Sequence, residues 1–97
     1  MGFFDRFKKA QPDITFEGGP GDSAETAIII HGVPDLQVLL QSEVNFLTQH
    51  FGKRNEDWVL EDRITTRIGS RLYHVVRVQL QHNMTRTIYF DVTDFTR

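Results

Sequence analysis

The stretch that decides the fold is RLYHVVRVQLQHNMTRTIYFDVTDFT, residues 71–96, which holds two runs of alternating apolar and polar residues around a polar turn. The apolar residues of both runs share even positions: Leu72, Val76, Val78 and Leu80, then Ile88, Phe90 and Val92. Alternation of this kind sends one set of side chains to one face of a strand. The stretch therefore predicts a β-hairpin with one buried face, on which His74 is the polar exception.

The turn of this hairpin contains Asn83, a residue type that tolerates left-handed backbone. We expect Leu80 to lie opposite Met84 across the turn. Residues directly opposite each other in an antiparallel pair point to the same face, so this register keeps the apolar side chains together. The pairs that follow are Val76 with Ile88, His74 with Phe90, and Val75 with Tyr89.

A preceding strand is predicted by further apolar residues at even positions: Trp58, Leu60, Ile64 and Ile68. A two-residue loop of Gly69 and Ser70 would set these even residues against odd partners and split the apolar face. A three-residue loop, residues 69–71, keeps that face intact, and we expect it although the Gly-Ser dipeptide favours the shorter turn. Its register pairs Ile68 with Leu72, Ile64 with Val76, and Leu60 with Leu80. The result is a three-stranded antiparallel meander at the C-terminal end.

The N-terminal half supplies a strand and a helix. The β-branched run at residues 27–30 is typical of a buried strand, and Pro34 and Asp35 then open a helix that Gly52 ends. The helix carries an apolar stripe of Leu36, Leu40, Val44, Leu47 and Phe51, widened by Leu39. The predicted fold class is α+β, a single domain of order β-α-β-β-β with one amphipathic helix on a mainly antiparallel sheet. The place of the first strand in that sheet stays open.

Composition narrows the classes of function. With 97 residues, of which 39% are hydrophobic, the chain is long enough for one domain with a modest core. A net charge of −2 gives no basic surface for phosphates, so we expect no nucleic-acid partner. Cysteine is absent, which excludes thiolate chemistry and Cys-based metal sites, and we expect no cofactor. No apolar stretch is long enough to cross a bilayer, so the expected location is the cytoplasm.

The N-terminal segment has a different character. Residues 1–22 are predicted to be a flexible arm, in which residues 13–17 favour a short strand, and residues 23–97 to be the domain. Phe3, Phe4 and Phe7 stand at helical spacing beside basic residues, which favours contact with a partner groove or, less strongly, a membrane surface. So short a segment buries little area, and stable anchoring is not expected.

Several positions match, in order, a pattern known from other chains. They are Ser23 with Glu25, Ala27, Ile28 and Ile30; Glu43, Val44, Phe46 and Leu47; Trp58 and Leu60; Tyr73; and Ile88 to Val92 with Phe95. Over roughly residues 23–95 the chain therefore resembles a group of small uncharacterised bacterial proteins. Their pattern has Glu-Tyr-x-Trp-Leu on a helix and ends in Ile-Tyr-Phe-Asp-Ile-x-x-Phe. The chain departs from that pattern at His74, where the group has Asp after Tyr, and at His82-Asn83, where it has Asp-Gly. The resemblance implies one compact unit and carries no activity.

Histidines are the only nitrogen ligands or bases available: His31, His50, His74 and His82. None of them stands at a metal-binding spacing, so we expect no metal site. His74 shares the core face with Asp62 of the neighbouring strand, and such a pair is either an acid–base couple or a satisfied polar pair at the edge of the core. The sequence has no recognisable nucleophile motif, so no catalytic residue is assigned. Glu43 is either a contact for a ligand or partner, or part of a solvated helix face.

An interaction surface is predicted on the outward face of the hairpin. It comprises Tyr73, Val75, Arg77, Tyr89 and Asp91, together with the aromatic residues of the arm. The alternative is that these residues form cross-strand pairs that stiffen the sheet. Residues 87–93 would also form a free sheet edge unless an N-terminal strand or a second subunit covers them.

The predicted function is that of a non-enzymatic bacterial interaction or assembly domain whose partner is an unknown protein or a second copy. The alternatives are a His/Asp-dependent hydrolase and a small-molecule binder with a site between helix and sheet.

Overall fold

A five-stranded sheet carries the α-helix in the computed structural model, which describes residues 14–96. The regular elements are β1 (Thr15–Gly18), β2 (Ile28–His31), α1 (Leu36–Phe51), β3 (Trp58–Ile68), β4 (Arg71–Leu80) and β5 (Thr85–Asp91). Short 3₁₀ turns lie at Ala24–Thr26, Gln81–Asn83 and Thr93–Thr96. Helix and sheet belong to one unit, which confirms the predicted α+β class.

The strands lie in the order β1-β2-β5-β4-β3. β2 runs parallel to β5, and the other neighbouring pairs are antiparallel. The C-terminal meander is therefore present as predicted, and β2 occupies an interior position between β1 and β5. An N-terminal strand thus covers part of the edge that residues 87–93 would otherwise expose, at Phe90 and Asp91.

β1 extends the sheet beyond the elements assigned to the domain from the sequence. It pairs with β2 from Thr15↔His31 to Gly18↔Ile28, and the carbonyl of Gly21 accepts a hydrogen bond of 2.7 Å from the amide of Tyr89. Residues 15–21 of the predicted arm are therefore part of the sheet assembly. Residues 1–13, with Phe3, Phe4 and Phe7, lie outside the described residues.

The helix begins and ends where the sequence predicts. Asp35 is the N-cap, and its side chain accepts a hydrogen bond of 2.9 Å from the amide of Val38. The C-cap is Gly52, which has a φ of 106°, a conformation that residues with a side chain rarely adopt. A Cβ there would also lie 2.3 Å from Asp57 Oδ2. The carbonyl of Gly52 accepts a bond of 2.8 Å from the indole of Trp58, which ties the helix end to the start of β3.

The interior lies between α1 and one face of the sheet. Its fully buried members are Ile28, Ile30, Leu39, Leu47, Trp58, Val76, Val78, Ile88, Phe90 and Val92. On the helix, Leu39 and Leu47 flank the buried Glu43, while Leu36 is half exposed. The predicted stripe was therefore wrong at Leu36, because the side of the helix that faces the sheet carries residues 39, 43 and 47.

The β4–β5 hairpin has the predicted register. His74 pairs with Phe90, Val75 with Tyr89, and Val76 with Ile88. Asn83 has a φ of 61°, as the left-handed turn position requires, and the amide of Leu80 bonds the carbonyl of Met84 at 2.6 Å. The shared parity of the apolar residues on both strands, which pair without a bulge, and a turn of suitable residues were sufficient to determine this pairing.

The β3–β4 hairpin contradicts the predicted register. Its loop has two residues, Gly69 and Ser70, with a positive φ at Gly69 only, as in a type II′ turn. The observed pairs are Ile68↔Arg71, Ile64↔Val75 and Leu60↔Val78. The three-residue loop was wrong because the ladder shifts register between Leu60 and Asp62, which makes Glu61 the extra residue of a β-bulge.

The bulge exchanges the two faces of β3. Before it, Trp58 is buried and Leu60 half-buried on the helix side. After it, Arg63 faces α1, while Ile64 and Ile68 turn outwards and are 52% and 50% exposed. A single inserted residue therefore places a cation inside and two isoleucines outside.

Candidate functional site

The most unusual polar group of the interior is Glu43, whose side chain is 0% exposed. Its Oε2 accepts a hydrogen bond of 2.5 Å from His74 Nδ1, and its Oε1 accepts one of 2.9 Å from Arg63 Nε. We call Glu43, His74 and Arg63 the inner cluster. Each carboxylate oxygen thus has a donor, which a buried ionised group requires.

Three elements assemble the inner cluster. Glu43 lies on α1 one turn from both Leu39 and Leu47, so their burial brings it to the sheet. His74 lies on the inner face of β4, and Arg63 reaches the same side only because of the bulge at Glu61. Arg63 Nη2 is buried without an acceptor among the described residues, so the cluster is incompletely satisfied.

The inner cluster is closed to a substrate. His74 is 7% exposed, and its Nδ1 is already bonded to Glu43. Catalysis by general acid and base needs a group within reach of a reacting atom in an accessible cleft. The geometry of Glu43 and His74 therefore supports a structural role, which is to neutralise Arg63 and join α1 to β3 and β4.

Asp62 does not meet His74. It is opposite Arg77 in the β3–β4 ladder, and opposite residues share a face, so Asp62 lies on the outer side of the sheet. The structure gives His74 a different carboxylate, Glu43, from the helix. The solvated helix face was the wrong interpretation of Glu43. Its spacing of four from Leu39 and from Leu47 was the signal for burial.

A second histidine cluster lies at the surface and joins Glu17, His31 and Asp94. His31 Nε2 is 2.8 Å from Glu17 Oε1, and its Nδ1 contacts Asp94 Oδ2. Both ring nitrogens can donate only in the imidazolium form. The hydrogen bonds to Glu17 and then to Asp94 therefore raise the pKa of His31 above its ordinary value of 6.5. We call this the surface cluster; it ties β1 and the C-terminal 3₁₀ turn to β2.

The predicted interaction surface is less open than its sequence suggests. Tyr73 and Asp91 are buried, Val75 and Tyr89 half-buried, and Arg77 exposed. The rings of Tyr73 and Tyr89 meet edge to face at 6.4 Å, as expected of a cross-strand pair. Arg77 Nε lies 3.2 Å from Glu61 Oε1.

Asp91 has a structural ion pair of its own. Its carboxylate accepts hydrogen bonds from Arg71 Nε at 2.5 Å and from the amide of Thr93 at 3.0 Å. Burial alone would raise the pKa of Asp91, but these donors outweigh it and hold that pKa below its ordinary value. Asp91 is therefore committed to holding the C-terminal turn and is not a free surface charge.

The remaining histidines do not converge on one another. His50 is exposed at the helix end, where its Nδ1 lies 3.1 Å from the carbonyl of Phe46, and His82 is exposed in the β4–β5 turn. Within residues 14–96 no group of three or more His, Cys, Asp or Glu side chains is arranged to hold a metal ion. A search of the same residues finds no helix with the length and apolar character needed to cross a membrane.

An open depression of about 320 Å³ lies at the C-terminal end of α1. It is lined by His50, Phe51, Asp57, Leu80 and Gln81. This is not the place that the small-molecule hypothesis predicts, which is between the helix stripe and the sheet. There, Leu39 and Leu47 pack with no exposed area against the sheet residues.

Among the large apolar side chains of the strands, the most exposed lie on β3. We call Ile64 and Ile68 the isoleucine patch. Val59, which is 46% exposed, lies on the same outer face but before the bulge. Within the described part of the chain, residues 62–68 pair with β4 on one side and with no strand on the other. An edge strand of this length is a template for further pairing.

Comparison of the chain with protein-family models, with curated proteins and with solved structures finds no match. The resemblance to the small bacterial group stays a prediction.

Proposed function

We propose that this chain is a non-enzymatic interaction or assembly domain that binds a protein partner through the β3 side of its sheet. The single observation that carries the proposal is the isoleucine patch on an edge strand of eleven residues. Exposed apolar residues beside unpaired backbone groups are the features that strand-addition interfaces use. The proposed setting is the bacterial cytoplasm, as resemblance and composition predict.

The chemistry of the polar residues supports the same proposal. Glu43 binds both His74 and Arg63 on the inner face of the sheet, and Asp62 lies on the other face. The hydrolase alternative requires His74 and Asp62 together in an open, wet cleft, so the geometry argues against it. The small-molecule alternative requires space under the helix stripe, which core side chains fill.

The test compares tagged chains recovered from cells that naturally make this protein. We expect a protein that co-purifies with the wild type to be lost with the double variant Ile64→Lys, Ile68→Lys. A lysine at these exposed positions removes apolar contact and adds charge without disturbing the core.

The matched control is Val59→Lys, which changes a side chain of similar exposure on the same strand, before the bulge. It should retain the same partner. Identical sets of co-purifying proteins for all three chains would contradict the proposal.

A further inference from the structure

We propose that the partner of the β3 edge is a second copy of this chain, joined by antiparallel pairing of residues 62–70 of each copy. This inference rests on the proposed function and identifies its partner. It follows from which backbone groups the edge presents, how its side chains match themselves, and where its charges lie.

The turn of the β3–β4 hairpin determines which backbone groups of β3 point away from β4. Ile68 and Arg71 flank the two-residue loop and therefore form a hydrogen-bonded pair. Because such pairs alternate along a ladder, Arg63, Thr65 and Arg67 direct their amides and carbonyls away from β4. These three residues present a regular row of donors and acceptors at the sheet edge, beyond the bulge at Glu61.

An antiparallel pairing centred on Thr66 satisfies two residues of this row, Thr65 and Arg67, while Arg63 lies opposite Gly69 of the loop. Thr65 of one copy then forms a hydrogen-bonded pair with Arg67 of the other, and the two Thr66 residues face each other at the two-fold axis. On the outer face, Ile64 lies opposite Ile68 of the second copy, twice. The half-exposed isoleucines thus cover one another. Within one chain, their neighbours leave about half of each side chain exposed.

Other registers that keep the faces aligned match less well. A shift to a centre at Thr65 would set Arg63 opposite Arg67 and Asp62 opposite Ile68, which opposes like charges and buries a carboxylate against a methyl group. A centre at Ile64 would leave Ile68 opposite Leu60, whose side chain the bulge directs to the other face. The centre at Thr66 is therefore the self-complementary register.

Charge favours the antiparallel sense. The exposed Asp62 lies at one end of the segment, and the exposed Arg67 lies towards the other. Antiparallel pairing brings the acidic end of each copy to the basic end of its partner. An edge-to-edge contact is at the low end of specific interface areas, so we expect dissociation in roughly the micromolar range.

Sedimentation velocity on the purified chain over a concentration series tests the association. We expect a monomer–dimer equilibrium that Ile64→Lys with Ile68→Lys weakens by at least about tenfold, the change that 1.4 kcal/mol produces. Val59→Lys should leave it unchanged. The double variant Ile64→Asp with Ile68→Lys should dimerise again, because the register sets the new acid of one copy opposite the new base of the other.

A single introduced cysteine tests the register. The natural chain has no cysteine, so Thr66→Cys can form a disulfide only between copies. Facing residues of a non-hydrogen-bonded pair are about 4.5 Å apart between Cα atoms, within the range that a disulfide spans. We expect rapid oxidation to a covalent dimer for Thr66→Cys and little for Val59→Cys.

A chain that is monomeric at every concentration, or equal cross-linking of the two cysteine variants, would overturn the self-pairing. The proposed function would then stand only if a different protein still needed Ile64 and Ile68 for capture from cells. If the chain neither associates with itself nor captures another protein through Ile64 and Ile68, both proposals are wrong. Circular dichroism of each variant, with wild-type spectra expected, shows that the exposed substitutions leave the fold intact.

Discussion

The inner and surface clusters contain the same groups, a histidine with carboxylates, in opposite surroundings. In the inner cluster one carboxylate, Glu43, has no exposed area and accepts hydrogen bonds from two donors. In the surface cluster one histidine, His31, pairs with two carboxylates, and about a third of its side chain is exposed. Solvent screens the second arrangement much more than the first, so the same kinds of contact should differ several-fold in their effect on stability.

Glu43→Gln should give the largest effect. The substitution keeps the shape of the side chain but removes the buried charge that pairs with Arg63, whose side chain is 22% exposed. We expect a loss at the low end of the range for a broken buried pair, about 3 kcal/mol of unfolding free energy. Urea denaturation measures the loss. Glu17→Gln in the surface cluster is the matched control and should cost less than about 1 kcal/mol. Equal losses in the two variants would contradict the distinction between the clusters.

His74→Phe should have the next largest effect. It removes the donor to Glu43 Oε2 while the bond from Arg63 to Oε1 stays. A hydrogen bond to a charged group contributes about 1.5–3 kcal/mol, and we expect a loss in that range in urea denaturation. Unfolding free energy equal to that of the wild type would show that the Glu43–His74 bond does not stabilise the fold.

His31→Asn should give a smaller effect than either substitution in the inner cluster, and this effect should depend on pH near neutrality. The raised pKa of His31 means that the folded state binds the proton more tightly than the unfolded state. Its stabilisation is therefore fully present below pH 6.5 and is lost as pH rises through the raised value. Thermal unfolding should show the wild type exceeding His31→Asn at pH 5.5, by less than about 1 kcal/mol, and matching it at high pH. A difference that is larger at high pH would contradict the sign.

The β4–β5 and β3–β4 hairpins show how far sequence patterns reach. β4 and β5 pair without a bulge, so the parity of their apolar residues and the Asn83 turn predicted the register correctly. On β3 the apolar residues Trp58, Leu60, Ile64 and Ile68 all stand at even positions, but the bulge at Glu61 exchanges the faces in the middle. A bulge adds no apolar or polar signal of its own, so the period-two pattern did not reveal it.

The candidate sites divide in the same way. The sequence indicated that His74 would lie on the core face, because the parity of β4 places it there. Its partner was missed, since Glu43 comes from the helix and a one-dimensional pattern does not contain helix-to-strand distances. The isoleucine patch was missed for the same reason as Arg63, because both depend on the side to which the bulge turns β3.

The sequence by itself determined the elements, the fold class and the C-terminal hairpin, because periodicity, caps and turn residues act over a few neighbouring positions. Tertiary structure alone decided that β2 lies beside β5, that Glu43 binds both His74 and Arg63, and that Ile64 and Ile68 face outwards. These features depend on packing between distant segments and on one inserted residue in β3. The residues before and after that insertion favour a strand equally, so local preferences do not reveal it.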